Sequence, residues 1–177
     1  MDAIGLPNAA ALNGGRHEFE EHTSELQIRL EAPSLPELFL EAGRALAEVM
    51  RASDGTAPST HPIAPSSNPI TPSSNPIAPS SVEGPNDMGP FQSVHVRAAD
   101  LTALLVEWLN ELIFRAETER RIFTDFRIDR LTDKELTASI RGPEVELSQT
   151  AVKAATMHRV EIRKEPGRFF ATVVLDV

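Results

Sequence analysis

Leu26, Ile28 and Leu30 alternate with Gln27, Arg29 and Glu31, the two-residue period of a strand with one buried face. The period then changes. Leu35, Leu38, Phe39, Ala42, Leu46 and Val49 fall on one helical stripe. Ahead of them, Ser34-Leu35-Pro36-Glu37 has capping-box spacing with proline inside the first turn, so a helix is expected there. The same succession returns further on. Val94 and Val96 alternate with His95 and Arg97, and Asp100 stands where it caps a helix whose Leu101, Leu104, Leu105, Trp108, Leu109 and Leu112 share a face. From Ile122 onward the pattern turns to strands: Phe126 and Ile128, then Leu136, Ala138 and Ile140, then Val160 and Ile162, then Phe169 to Val177 after a Pro166-Gly167 turn. Two strand-helix units followed by several strands predict an α+β domain with two main helices on one face of a sheet.

Between the two units the periodicity stops. Pro62-Ile63-Ala64-Pro65-Ser66-Ser67-Asn68 is followed by Pro69-Ile70-Thr71-Pro72-Ser73-Ser74-Asn75 and then by Pro76-Ile77-Ala78-Pro79-Ser80-Ser81. Each proline removes a backbone donor and restricts the residue before it, so this repeat forms neither helix nor ladder. Residues 53–90 read as a disordered insertion that leans to polyproline II and has no catalytic role. A ligand for a proline-recognising domain is the functional alternative; the near-identity of the copies favours tandem expansion in a tolerant loop. Residues 1–15 read as a flexible N-terminal tail and 16–177 as one domain interrupted by the insertion.

Composition narrows the chemistry. With 177 residues the chain is long enough for one domain with a real core. Lys+Arg 17 against Asp+Glu 26 gives a net charge of -9, which argues against broad attraction to nucleic-acid phosphates. Any RNA-related role then runs through a protein partner. Cys 0 excludes disulfides and thiolate ligands, so a metal would be held by oxygen or imidazole groups, favouring magnesium, calcium or manganese. Residues 1–15 lack a basic and apolar leader pattern and no stretch is long and apolar enough to span a bilayer, so a cytoplasmic protein is expected.

The remaining candidates are few. Trp108 lies in the apolar stripe of its helix and is expected in the core. Glu107, Glu111, Glu117 and Glu119 sit on or beyond the opposite face, as solvated charge or as a surface for a basic partner. His17, His22, His61, His95 and His158 show no paired metal-ligand spacing, although His22 and His158 stand near other candidates. There is no Gly-x-Ser-x-Gly, phosphate loop or dinucleotide fingerprint.

Glu25 and Asp176 stand where alternating strands begin and end, and their carboxylates meet only if those strands are neighbours; together they would make a cation site. Lys153 is a single cation in the stretch Ala151 to Met157, expected to be partly sheltered and available to a carboxylate or phosphate. By spacing alone all three also suit ordinary strand or loop charges.

Five segments in order carry a family resemblance. They are His22-Thr23-Ser24-Glu25-Leu26-Gln27-Ile28, Leu105-Val106-Glu107-Trp108-Leu109-Asn110-Glu111-Leu112, Phe123-Thr124-Asp125-Phe126, Val152-Lys153-Ala154-Ala155-Thr156-Met157-His158 and Leu175-Asp176-Val177. Together they resemble archease and span the chain outside the tail and the insertion. The resemblance implies a compact α+β domain with a mixed or antiparallel sheet. It implies an accessory protein, not an enzyme, that activates an RtcB-type RNA ligase in tRNA splicing or RNA repair. Such a protein promotes guanylylation of the ligase and so its multiple turnover, with GTP used by the ligase and a divalent ion, calcium or magnesium, as cofactor. It places metal ligands at Glu25 and Asp176 and a catalytic lysine at Lys153. Glu25 departs from the family's usual Asp, Met157 from its frequent Tyr, and the segment 142–150 is short. A chaperone-like or adaptor module without metal, using the strand face near Phe169 and Phe170, is the rival from another class. A small metal-dependent hydrolase is disfavoured, because no base and nucleophile pair is visible.

Overall fold

The computed structural model describes residues 14–22, 24–53, 88–145 and 152–177. In chain order the elements are β1 (Arg16–His22), β2 (Glu25–Ala32), α1 (Leu35–Ser53), β3 (Gln92–Arg97), α2 (Leu101–Glu119), β4 (Asp125–Leu131), β5 (Glu135–Arg141), β6 (Ala154–Glu165) and β7 (Arg168–Asp176). Every strand pairing among the described residues is antiparallel. The ladder divides into two sheets, one in the order β1-β2-β7-β6 and the other β3-β5-β4.

Local chemistry explains both helix starts. The Glu37 amide donates to Ser34 Oγ at 3.3 Å and the Ala103 amide to Asp100 Oδ1 at 2.9 Å, so each predicted cap satisfies a first-turn donor. Gly167, between β6 and β7, has φ +80°, a conformation that L side chains rarely adopt. Strand β1 escapes the pattern reading because its Glu18, Glu20 and Glu21 mask the alternation; pairing with β2 puts Phe19 opposite Ile28.

The helices fill the space between the inner sheet faces. α1 packs on β2 and β4, while α2 packs on β6 and β3. Trp108 is fully buried, as its stripe predicts, and joins the layers. Its Nε1 donates to the Phe39 carbonyl of α1 at 3.1 Å, and its ring meets Phe126 of β4 edge-on at 6.1 Å between centroids. A Cβ at Gly43 would stand 3.2 Å from the Phe126 ring, so α1 approaches β4 closely there.

Two buried carboxylates are matched by cations. Glu31 pairs with Arg16, and its Oε1 lies 2.7 Å from Arg168 Nε. Glu41 meets His17 Nδ1 at 2.7 Å and Arg44 Nη1 at 3.0 Å, which ties β1 to α1. The Pro/Ser repeat and most of the N-terminal tail lie outside the described residues.

Trp108→Ala should destabilise the domain by about 3–5 kcal/mol, measured as a lowered midpoint in urea with an unchanged slope. A pH effect is expected on the second sheet. The Glu135 carboxyl is held below its ordinary value by hydrogen bonds from His95, at 2.6 Å, and then from Arg97. Its contribution to stability is therefore present above the ordinary carboxylate value and lost as pH falls through the lowered one. Glu135→Gln should flatten that part of the acid limb in a pH series of unfolding midpoints.

Candidate functional site

The central pairing of the first sheet decides where the candidate carboxylates stand. β2 and β7 run antiparallel with Leu26 opposite Leu175, Ile28 opposite Val173 and Leu30 opposite Ala171, all buried. Continuing that register brings Glu25 opposite Asp176 at the end of the ladder. The two residues alternate away from the buried row, so both carboxylates lie on the outer face of the sheet. Residues directly opposite on antiparallel strands have Cβ atoms about 4.5–5.5 Å apart. Glu25 is exposed and Asp176 half-buried, and neither has an ion pair among the described residues. His22 occupies the next position of the same row, opposite Glu25 in the β1–β2 hairpin.

Lys153 comes to this edge by its backbone. Its amide donates to the Asp176 carbonyl at 2.8 Å, immediately before β6 begins opposite Asp176 at Ala154. The lysine is exposed, which corrects the expectation that it is partly sheltered. It follows buried Val152, one residue before β6 begins. Its Nζ donates to the Val177 carbonyl at 3.1 Å and makes no ion pair with Glu25 or Asp176. The Val177 amide in turn donates to the Ser24 carbonyl at 3.3 Å, which closes the row across the β1–β2 turn.

Asn110 escaped the pattern reading. Its Nδ2 donates to the Ala155 carbonyl at 3.1 Å, and its Oδ1 accepts from the Ala155 amide at 2.8 Å. The available signal was a neutral amide between Leu109 and Leu112 on a helix whose other polar positions are mostly charged.

Other candidates are placed elsewhere. His158 is exposed at the irregularity of β6 between Thr156 and Glu161, where Arg159 has φ 54°. His95 pairs with Glu135 on the second sheet, and His61 lies outside the described residues. Glu111 pairs with Arg115 at 2.6 Å, whereas Glu107 and Glu117 are exposed. Phe169 is half-buried against the core under Lys164, and half-buried Phe170 faces Glu31 across the sheet, so the two rings form no open apolar patch.

The donor set suits a hard cation in part. Among the described residues no group of three His, Asp or Glu side chains is arranged to hold a metal. Two carboxylates on one row still match the habit of magnesium, which takes one or two protein carboxylates and completes its shell with water or substrate phosphates. Like charges directly opposite one another destabilise a sheet, and a cation between them would relieve that repulsion.

Comparison with known proteins agrees with this architecture. The model of the archease protein family matches residues 77–177, more than half of the chain. Protein archease of Methanosarcina mazei is 24% identical over 172 residues, covering 93% of this chain and 97% of that protein. Protein archease of Methanopyrus kandleri is 27% identical over 165 residues, covering 89% and 96%. The solution structure of a Methanobacterium thermoautotrophicum protein superposes with a TM-score of 0.58 at 25% identity, covering 91% of this chain and 98% of that one. The crystal structure of an archease from Thermotoga maritima, described as a possible chaperone, gives 0.53 at 16% identity over 89% and 94%, a likeness of fold. With its sequence matching along nearly the whole length of these relatives and its strands and helices arranged as theirs are, the chain belongs to the archease family.

Proposed function

We propose that this protein is an accessory factor of an RtcB-type RNA ligase, promoting guanylylation of the ligase and its multiple turnover in tRNA splicing or RNA repair. It performs no ligation itself. The observation that carries the reading is the register pairing of Glu25 with Asp176 at one end of the β2–β7 ladder, in a chain of the archease family. The pair is held at a cost, since like charges in this position oppose pairing by up to about 1 kcal/mol. Family membership supports an accessory role, and the carboxylates supply what that role needs: oxygen ligands on an exposed edge.

Each side chain has a distinct task. Glu25 and Asp176 present oxygens from neighbouring strands, so the rigid ladder rather than a loop sets their spacing. Glu25 reaches one methylene further than an aspartate, and the longer side chain adapts to a ligand shared with a partner. Lys153 carries its charge beside them and offsets that of the ligase's GTP phosphates. A bound calcium or magnesium ion would supply charge neutralisation and orientation of those phosphates.

A chaperone-like reading without metal has one point in its favour, the description of the Thermotoga maritima relative as a possible chaperone. The half-buried state of Phe169 and Phe170 weakens it, because a client-binding surface needs exposed apolar area.

Asp176→Ala should abolish stimulation of a cognate ligase, followed as guanylylation at limiting enzyme. Its thermal midpoint should stay unchanged or rise slightly, because among the described residues the side chain makes no hydrogen bond or ion pair, and it repels Glu25. Full stimulation by this variant would sink the reading. Magnesium or calcium should raise the thermal midpoint of the unsubstituted protein and leave those of Asp176→Ala and Glu25→Ala unmoved; equal shifts in all three proteins would place the ion elsewhere.

A further inference from the structure

We infer that Asn110 is a positioning residue for Lys153, its side-chain amide fixing the first residues of β6 to α2 and thereby setting where the lysine stands beside Asp176. The inference rests on the accessory-factor reading for its functional half and on geometry for the rest.

Strand β6 is an edge of the first sheet, so among the described residues one side of its backbone has no strand partner. At Ala155 both main-chain groups on that open side are taken by a single side chain, at 2.8 Å from the amide to Asn110 Oδ1 and 3.1 Å from Asn110 Nδ2 to the carbonyl. An asparagine amide presents one acceptor and two donors in a plane, which lets it stand in for a neighbouring strand. Asn110 is rooted in α2 beside Trp108, Leu109 and Leu112, which are buried, so the amide is held by the core of the domain. It therefore carries the position of the core to the start of an edge strand.

The consequence falls on Lys153. This residue precedes β6, and Ala154, opposite Asp176, is all that separates it from the anchored Ala155. Its amide donates to the Asp176 carbonyl at 2.8 Å and its ammonium to the Val177 carbonyl at 3.1 Å. Both partners lie at the last residues of the sheet, where strands fray. The ladder of β6 with β7 is itself interrupted between Thr156 and Glu161, so strand pairing beyond Thr156 gives this end little support. With Asn110 in place, the end of β6 is fixed on both sides, by Asp176 and Leu175 on one and by α2 on the other. Without it, the ammonium samples a wider volume while the carboxylate pair on β2 and β7 keeps its register.

A double-mutant cycle on ligase stimulation tests the assignment, using the full chain with a cognate RtcB-type ligase, GTP and magnesium. Asn110→Ala alone should lower stimulation roughly fivefold or more, and in a Lys153→Ala background it should lower it no further. Equal losses in both backgrounds would mean that Asn110 supports the fold generally, and would overturn the assignment. Absence of stimulation by the unsubstituted protein would instead overturn the accessory-factor reading and the functional half of this one.

Amide hydrogen exchange gives a readout independent of any ligase. The Lys153 amide bonds to Asp176 and not to Asn110, yet its exchange should accelerate roughly tenfold in Asn110→Ala, with amides of the β2–β7 ladder unchanged. Unchanged exchange at Lys153 would overturn the positioning role. Asn110→Asp keeps an acceptor for the Ala155 amide while setting a carboxylate against the Ala155 carbonyl. It should show the same acceleration, so the test does not depend on the alanine variant alone.

Discussion

The pairing of β2 with β7 is the constraint on which the molecule depends. Leu26, Ile28 and Leu30 face Leu175, Val173 and Ala171 across it, and all six are buried. A slip of one residue would turn every one of these side chains to the outer face, so hydrophobic burial enforces the register strongly. The position of the carboxylates follows from that enforcement. Glu25 lies opposite Asp176 because the apolar rows beside them admit no other alignment. Core packing thus places two like charges together, and the outer face of the sheet leaves them open to a ligand.

A second consequence concerns the edges. Dividing the strands into two sheets leaves β1 and β6 as the flanks of the first. Each flank is tied to a helix by a polar side chain. His17 of β1 reaches Glu41 and Glu48 of α1 at 2.7 and 3.0 Å, and Asn110 of α2 takes both main-chain groups of Ala155 in β6. Exposed edges pair readily with other chains, and such ties stiffen and cover them. The apolar contacts of the helices hold the layers together, while these few polar contacts fix the margins where the candidate side chains stand.

Much of the fold was legible because burial imposes a period. The stripes of α1 and α2, both caps, the β6–β7 turn and the core role of Trp108 follow from spacing and turn chemistry alone. β1 was not legible, since an edge strand rich in Glu shows little alternation and gains its structure from its neighbour. The exposure of Lys153 and its bond to Val177 were equally out of reach, because a solitary cation in a quiet stretch carries no sign of what will surround it.

The sequence by itself determined the class of the domain, the identity of its elements and the residues able to supply charge: Glu25, Lys153 and Asp176. Those features depend on neighbours along the chain, where backbone geometry and burial periodicity act. Only the tertiary structure decided that residues 25 and 176, from opposite ends of the chain, share one row, and that Asn110 anchors the strand leading from Lys153. Such meetings depend on strand order and register, which emerge when the whole core closes.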